Sequence, residues 1–262
     1  MFDKIKKISI LYYVLFPKLF GIGYNQYKWN LIKKKIQKKH FKLNSYIDER
    51  IVEIPWVIDK LSNIYNLKIL DAGCTLNYRY LIDKIIRNNN KITFVNLYRE
   101  NFCDRRELVN YLDSDISNLN IQDESYDIVT CISVLEHIGF DNQIYNNSSQ
   151  KTSDFLLNKD LYINGILEIR RVLKSEGVAY LSFPFGKGML FNNLQQFDNS
   201  GIEKIINVFQ PKSYSVQYYK YINEYKNWEE VSQKSCEELM PVYFNRKTAI
   251  SGNSVALLTL RK

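Results

Sequence analysis

Only two histidines occur in the sequence, His40 and His137, so a histidine-rich metal centre is excluded. The four cysteines, Cys74, Cys103, Cys131 and Cys236, lack metal-type spacing. Cys74 and Cys131 fall on apolar stretches, where a reduced, buried thiol is expected, as in the cytosol. A Gly-x-Gly-x-x-Gly run is missing, which argues against a nicotinamide or flavin dinucleotide. The apolar run Ile8 to Phe16 is interrupted by Pro17, Gly21 and Gly23 and is too short for a bilayer span of about 20 residues. No signal-peptide cleavage pattern is visible. Acidic residues are nearly absent from the first 46 positions, where Asp3 faces eleven lysines for a net charge of +10. The rest of the chain carries 25 basic and 27 acidic residues, a net of −2.

What is present is enough chain, 262 residues, to bury one full α/β core with extensions. The composition divides it into a basic amino-terminal extension, residues 1–46, and a near-neutral domain, residues 47–262. Lys28 to Lys42 reads as a helix with Trp29, Ile32, Ile36 and Phe41 near one side and Lys33, Lys34, Lys35, Lys38 and Lys39 around the rest. Such a helix either caps the domain with a solvated face, lies on an anionic membrane surface, or meets a phosphate-bearing acceptor. Nucleic acid fits the charge, but no recognition motif accompanies the lysines.

The chain is organised around Lys68 to Asn77, an apolar strand followed by a tight turn and a helix start. So short a strand buries both faces only at the centre of a parallel sheet. Asp71 and Gly73 then lie at its carboxyl end, where open α/β sheets bind ligands. Downstream, the apolar patterns predict a helix near 78–87, strands at 92–97, 108–112, 128–134 and 178–183, and helices at 161–173 and 201–208. Pro55 is expected in the first turn of a helix ending near Tyr65. The polar stretch 139–160 has the length of a functional lid or acceptor loop. Late strands are expected at 213–221 and 254–260.

Leu70-Asp71-Ala72-Gly73-Cys74, Tyr126 to Ile138 and Glu168 to Gly177 stand in an order and spacing that resemble the class I S-adenosylmethionine-dependent methyltransferases. The likeness runs from about residue 49 to 200. It implies a Rossmann-like, doubly wound, seven-stranded, mostly parallel sheet with helices on both faces. Thr75, Leu76 and Asn77 replace the usual glycines after Gly-Cys. This form, with Leu135-Glu136-His137-Ile138-Gly139, Asp141-Asn142, Tyr145, Pro184 to Lys187 and Gln195 to Asp198, resembles a subgroup met among polysaccharide-assembly proteins.

The resemblance implies a cofactor, S-adenosylmethionine with S-adenosylhomocysteine as product, and a set of positions for it. These are Asp71, Gly73, Cys74 and Thr75 near the methionine moiety, Asn96 at the ribose, Asp115 and Ile116 beside adenine, and Cys131, Ile132 and Ser133 at the end of the fourth strand. Arg50 and Glu53 either reach the pocket or pair locally. A sugar hydroxyl needs a general base; His137, titrating near pH 6.5, is the first candidate and Asp141 the second. Glu136, Asn142, Tyr145, Gln195, Gln196 and Asp198 supply hydrogen bonds for a polyhydroxylated or phosphorylated acceptor. Glu136 with Asp141 could hold a divalent cation, although the chemistry requires none. The expected protein is a cytoplasmic O-methylating enzyme of surface-polysaccharide building blocks, peripheral on the inner face of the membrane if its lysines bind lipid. The competing expectation is a non-catalytic binding module tethered through residues 1–46.

Overall fold

The computed structural model describes residues 26–41, 47–97, 107–140, 158–191, 194–245 and 249–262. Ile8 to Phe16 and the acceptor-loop residues Asp141, Asn142 and Tyr145 lie outside them.

An eight-stranded sheet runs in the order β3-β2-β1-β4-β5-β12-β8-β9. Its left half is parallel: β1 (Lys68–Ala72) pairs with β2 (Lys91–Asn96) and β4 (Tyr126–Ile132), β2 with β3 (Asn110–Asp113), and β4 with β5 (Leu173–Pro184). β12 (Ser254–Arg261) inserts antiparallel between β5 and β8 (Ser213–Ile222). The central place of β1 follows from its sequence, since Ile69 and Leu70 are fully buried on opposite faces.

Strand alternation divides the apolar residues between two cores. Leu70, Ala72, Val129, Cys131, Leu181 and Phe183 face α4 (Tyr162–Val172) and α5 (Asn199–Phe209). Ile69, Phe94, Ile128, Ile132 and Leu257 face α2 (Arg50–Leu61), α3 (Arg79–Ile86) and the helix α1 over residues 26–36. Leu31 and Ile32 of α1 are buried in that second core with Ile47, while Trp29 stacks at 3.8 Å on Tyr78. Ile36 and Phe41 pack on the same core from its margin, and Lys34, Lys38 and Lys39 are exposed. Helix α1 is therefore built into the domain surface.

Four expectations are corrected. The sheet has eight strands rather than seven, because β9 (Asn227–Val231) adds to the β8 edge. Trp228 anchors it, buried against Tyr221 and donating its indole N–H to the Ile47 carbonyl at 2.8 Å. Pro55 sits inside α2, not in its first turn, because the helix begins at Arg50 and ends at Leu61. The missing backbone donor is tolerated because Ile51, Ile54, Val57, Ile58 and Leu61 bury the helix face. The amino-terminal helix stops at residue 36, with Lys38 left-handed at φ 55°. Strand β5 starts at Leu173, where the expected helix was to end, rather than at Val178, and its register against β4 shifts between Tyr126 and Ile128.

Small hairpins complete the fold: β6 (Met189–Phe191) with β7 (Leu194–Gln196), and β10 (Val242–Asn245) with β11 (Ala249–Ser251). Hairpin strand β7 packs against the 3-10 turn Leu135–His137 that follows β4.

Candidate functional site at the carboxyl edge of the sheet

The strand order reverses between β1 and β4, which opens a crevice at their carboxyl ends. The turn leaving β1 is held from inside. Asp71 is wholly buried; its carboxylate accepts the Leu76 N–H at 2.8 Å and the Thr130 hydroxyl at 2.6 Å. Gly73 has φ +106° and donates its N–H to the Val95 carbonyl at 2.7 Å. A Cβ there would lie 2.1 Å from Val134 Cγ2, so glycine is required by both backbone and space. Cys74 follows at φ 58°, turning the backbone sharply, and its side chain enters the core. Thr75 Oγ1 donates to the Ile132 carbonyl at 2.8 Å, across the crevice. Leu76 and Asn77 are buried beneath the turn.

Neighbouring strands supply the rest of this edge. Asn96 ends β2 and turns its Oδ1 onto the Leu97 N–H at 3.0 Å, beside Asp113 of β3. Asp115 is exposed and caps the Ser117 N–H and hydroxyl, each at 2.8 Å, while Ile116 is buried below. Arg171 pins this segment, donating to Glu168 and Asp123 and to the Leu119 and Ile121 carbonyls. The Cys131 and Ile132 side chains lie in opposite cores, so at these positions only backbone faces the crevice. Burial, with Glu136 and Asp71 nearby, pushes the Cys131 thiol well up, and it stays protonated.

Helix α2 brings a charged network to the same edge. Glu53 is fully buried; its Oε1 accepts the Ser133 hydroxyl at 2.6 Å and the Ser182 hydroxyl at 2.8 Å. Its Oε2 accepts Arg50 Nη1 at 3.2 Å, and the same nitrogen donates to the Ile132 carbonyl at 3.0 Å. Arg50 and Glu53 therefore pair, and the pair locks α2 to the ends of β4 and β5. Burial opposes the charge on Arg50, but Glu53, Glu49, Glu136 and Asp48 outweigh it and hold its pKa above the ordinary value. The Ser133 hydroxyl, expected near the cofactor, is committed to Glu53.

Glu136 and His137 follow on the 3-10 turn. Glu136 is 3% exposed and its Oε2 has no hydrogen-bond partner. Burial, reinforced by Glu53 and Glu49, raises its carboxyl well above the usual range, with Arg50 acting the other way. His137 Nε2 lies 4.0 Å from Glu136 Oε1. Burial and then Arg50 depress its pKa to about 4, not the 6.5 expected from its type, so its imidazole is neutral across the physiological range.

The remaining substrate candidates do more structural work than their types suggest. Gln195 Nε2 donates to the Lys159 carbonyl at 3.1 Å. Gln196 Nε2 donates to the Lys187 and Leu239 carbonyls at 3.0 and 2.8 Å, leaving its buried Oε1 without a partner. Asp198 caps α5, its Oδ1 accepting the Gly201 N–H at 3.0 Å and the Ser200 hydroxyl at 2.7 Å. The acceptor-loop region leaves and returns at one place, since Asn158 N donates to the Gly139 carbonyl at 3.1 Å. Among the described residues no three His, Cys, Asp or Glu side chains gather as a metal-ligand set.

The structure thus brings Asp71, Gly73, Thr75, Ser133, Glu136 and His137 to the β1–β4 crevice, with Asn96 and Asp115 along the edge beyond β2. Ser182 was missed by sequence reasoning, and Glu53 was not identified as the network's centre. Its signal was a lone glutamate among the apolar residues of α2.

Residues 70–150 match the family model described as a methyltransferase domain. An uncharacterized protein of Methanocaldococcus jannaschii is 26% identical over 136 residues, 52% of this chain and 49% of its own length. The matched region thus spans about half of that curated relative. Among solved structures, a SAM-dependent methyltransferase from Archaeoglobus fulgidus superposes with a TM-score of 0.51 at 11% identity, covering 89% of this chain and 99% of that one. The YcgJ protein of Bacillus subtilis gives 0.50 at 12% identity over 80% and 97%. These likenesses show the mixed α/β Rossmann-like fold with a mostly parallel sheet, and residues 70–150 carry the methyltransferase-domain match.

Proposed function

We propose that the protein is an S-adenosylmethionine-dependent methyltransferase acting on a hydroxyl of a sugar, nucleotide sugar or phosphorylated building block of a surface polysaccharide. The observation that carries the reaction class is the β1 turn, where Gly73 and Cys74 bend the backbone at the sheet's switch point. The donor set fits the cofactor. Glu49 and Glu53 outnumber Arg50 at this edge, which suits a cationic sulfonium and disfavours a pyrophosphate. The bound cofactor supplies a methyl group on sulfonium sulfur, whose departure leaves a neutral thioether.

The chain's own part is alignment, which can remove about 7–11 kcal/mol of barrier. Asp71 fixes the turn from below and Gly73 permits its close packing on Val134. Asn96 stands at the ribose position, where an uncharged amide can bond hydroxyls. Asp115 and Ile116 offer an acidic rim and an apolar seat for adenine, held by Arg171. His137, neutral at working pH, can accept a proton but is a weaker base than an ordinary histidine. The acceptor assignment rests on the subgroup motif around Leu135–Gly139 and Gln195–Asp198. Labelled methyl transfer to a panel of sugars, nucleotide sugars and polyol phosphates tests it. Saturable labelling of one class is expected; cofactor binding with no labelling of any refutes the acceptor class.

One observation favours the rival binding-module reading. Thr75 and Arg50 both occupy the Ile132 carbonyl, so side chains fill part of the crevice. Failure of the folded protein to bind S-adenosylhomocysteine would select that reading. Among the described residues no helix is long and apolar enough to cross a membrane. We place the protein in the cytoplasm, with the exposed Lys34, Lys38 and Lys39 in and just after α1 available to an anionic inner-leaflet surface. Because Leu31 and Ile32 belong to the core, charge reversal of Lys34, Lys38 and Lys39, rather than deletion, is the proper test by vesicle co-sedimentation. Binding unaffected by the reversal would refute the contact.

A further inference from the structure

Two buried acceptor oxygens at the carboxyl edge have no donor, Glu136 Oε2 and Gln196 Oε1. They sit on elements that pack against each other, the Leu135–His137 turn and β7. The orientation of the Gln196 amide is fixed by its two N–H bonds to the Lys187 and Leu239 carbonyls, so its oxygen cannot be exchanged for a donor by a flip. A buried acceptor left unpaired costs about 1–3 kcal/mol, and two in adjoining elements mark a place where a ligand brings donors.

Building on the methyltransferase reading, we propose that Glu136 is the proton acceptor for the methyl-accepting group, with Gln196 Oε1 receiving a second hydroxyl or amine of the same molecule. The acceptor is then a compound with at least two O–H or N–H donors. In the step, a lone pair of the acceptor oxygen or nitrogen forms the bond to the methyl carbon while the carbon–sulfur pair stays on sulfur. The acceptor's proton passes to Glu136 Oε2. The groups facing Glu136 are Arg50, Glu53 and Glu49 from α2, His137 on its own turn, and Cys131 below. His137 is uncharged there and leaves the carboxylate free to take a proton. The raised Glu136 carboxyl makes this base available only as pH rises through its own titration.

The test needs no acceptor. Sinefungin carries an ammonium-bearing carbon where the cofactor carries its sulfonium and methyl, and S-adenosylhomocysteine carries neither. Calorimetry of both ligands on the full chain should show sinefungin bound more tightly by on the order of ten- to hundredfold, the value of a charge-assisted hydrogen bond. Glu136→Gln should abolish that preference and leave S-adenosylhomocysteine affinity within about threefold, with a cooperative unfolding transition showing that the variant is folded. Equal weakening of both ligands would overturn the proposal, as would a preference that survives the substitution or is absent from the wild type. Wild-type protein that binds neither ligand would refute the methyltransferase reading itself. Should Glu136→Gln not fold, the wild-type preference should grow with rising pH as the raised Glu136 carboxyl ionises, and a ratio that stays flat with pH would overturn the assignment.

Discussion

Gly73→Ala is the substitution whose consequence the geometry fixes most tightly. The residue sits at φ +106°, a conformation that costs an L-residue about 1–2 kcal/mol. The new methyl would also stand 2.1 Å from Val134 Cγ2, and relieving such an overlap costs about 1–3 kcal/mol. The sum, about 2–5 kcal/mol, is a large share of the 5–15 kcal/mol that holds a typical domain together. Val134→Ala alone should cost about 1–2 kcal/mol, because that side chain is half-buried. In the double variant the 2.1 Å overlap is gone and a tight 3.2 Å contact with the Cβ of residue 134 remains, so the two changes should couple favourably by about 1–3 kcal/mol. Urea denaturation of the four proteins measures the cycle. A Gly73→Ala protein within about 0.5 kcal/mol of wild type, or strictly additive costs, would refute the reasoning. Cofactor affinity should fall in Gly73→Ala, since the turn moves with its backbone.

Glu53→Gln turns an amide donor toward Arg50 and should destabilise by about 2–4 kcal/mol in chemical denaturation; a change below about 0.5 kcal/mol would contradict the network. His137 has a folded pKa of about 4 against an unfolded value near 6.5, so the unfolded chain binds the extra proton between them. Stability from this group is therefore full above about pH 6.5 and lost as pH falls through about 4, at most about 3 kcal/mol. His137→Asn should flatten that acid limb, and an assigned His137 resonance titrating near 6.5 in the folded protein would contradict it. Glu136 acts with the opposite sign. Its raised carboxyl favours the folded state at low pH and loses that contribution as pH rises through its folded pKa, so Glu136→Gln should flatten the alkaline side. Arg171→Lys loses the fork that joins Glu168, Asp123 and two loop carbonyls, and should cost about 1–3 kcal/mol while weakening S-adenosylhomocysteine binding. Unchanged affinity would detach the 115–123 segment from the site.

Much of the fold was legible because local pattern and burial agree. Leu70 and Ala72 against Ile69, or Ala256 and Leu258 against Val255 and Leu257, alternate between the two cores as a two-residue repeat requires. The β9 edge was not legible, since Asn227–Val231 buries one side chain, Trp228, among exposed polar ones. Nor was the start of α2, where Pro55 reads as an opening residue although tertiary burial carries the helix through it.

In the β1 turn, the places of Gly73 and Asp71 were readable because a tight turn after a central strand demands them. The Glu53 hub joins residues 80 and 129 positions away, a pairing no local pattern encodes. The same holds for His137: its residue type suggests titration near neutrality, but burial and Arg50, both set by the fold, decide otherwise.

If the β1 turn holds S-adenosylmethionine, the product should bind there as well, and calorimetric titration of the full chain with S-adenosylhomocysteine measures that binding. Binding with a dissociation constant on the order of micromolar, lost in Gly73→Ala, is the predicted result. A folded wild-type protein that takes up no S-adenosylhomocysteine would contradict the account.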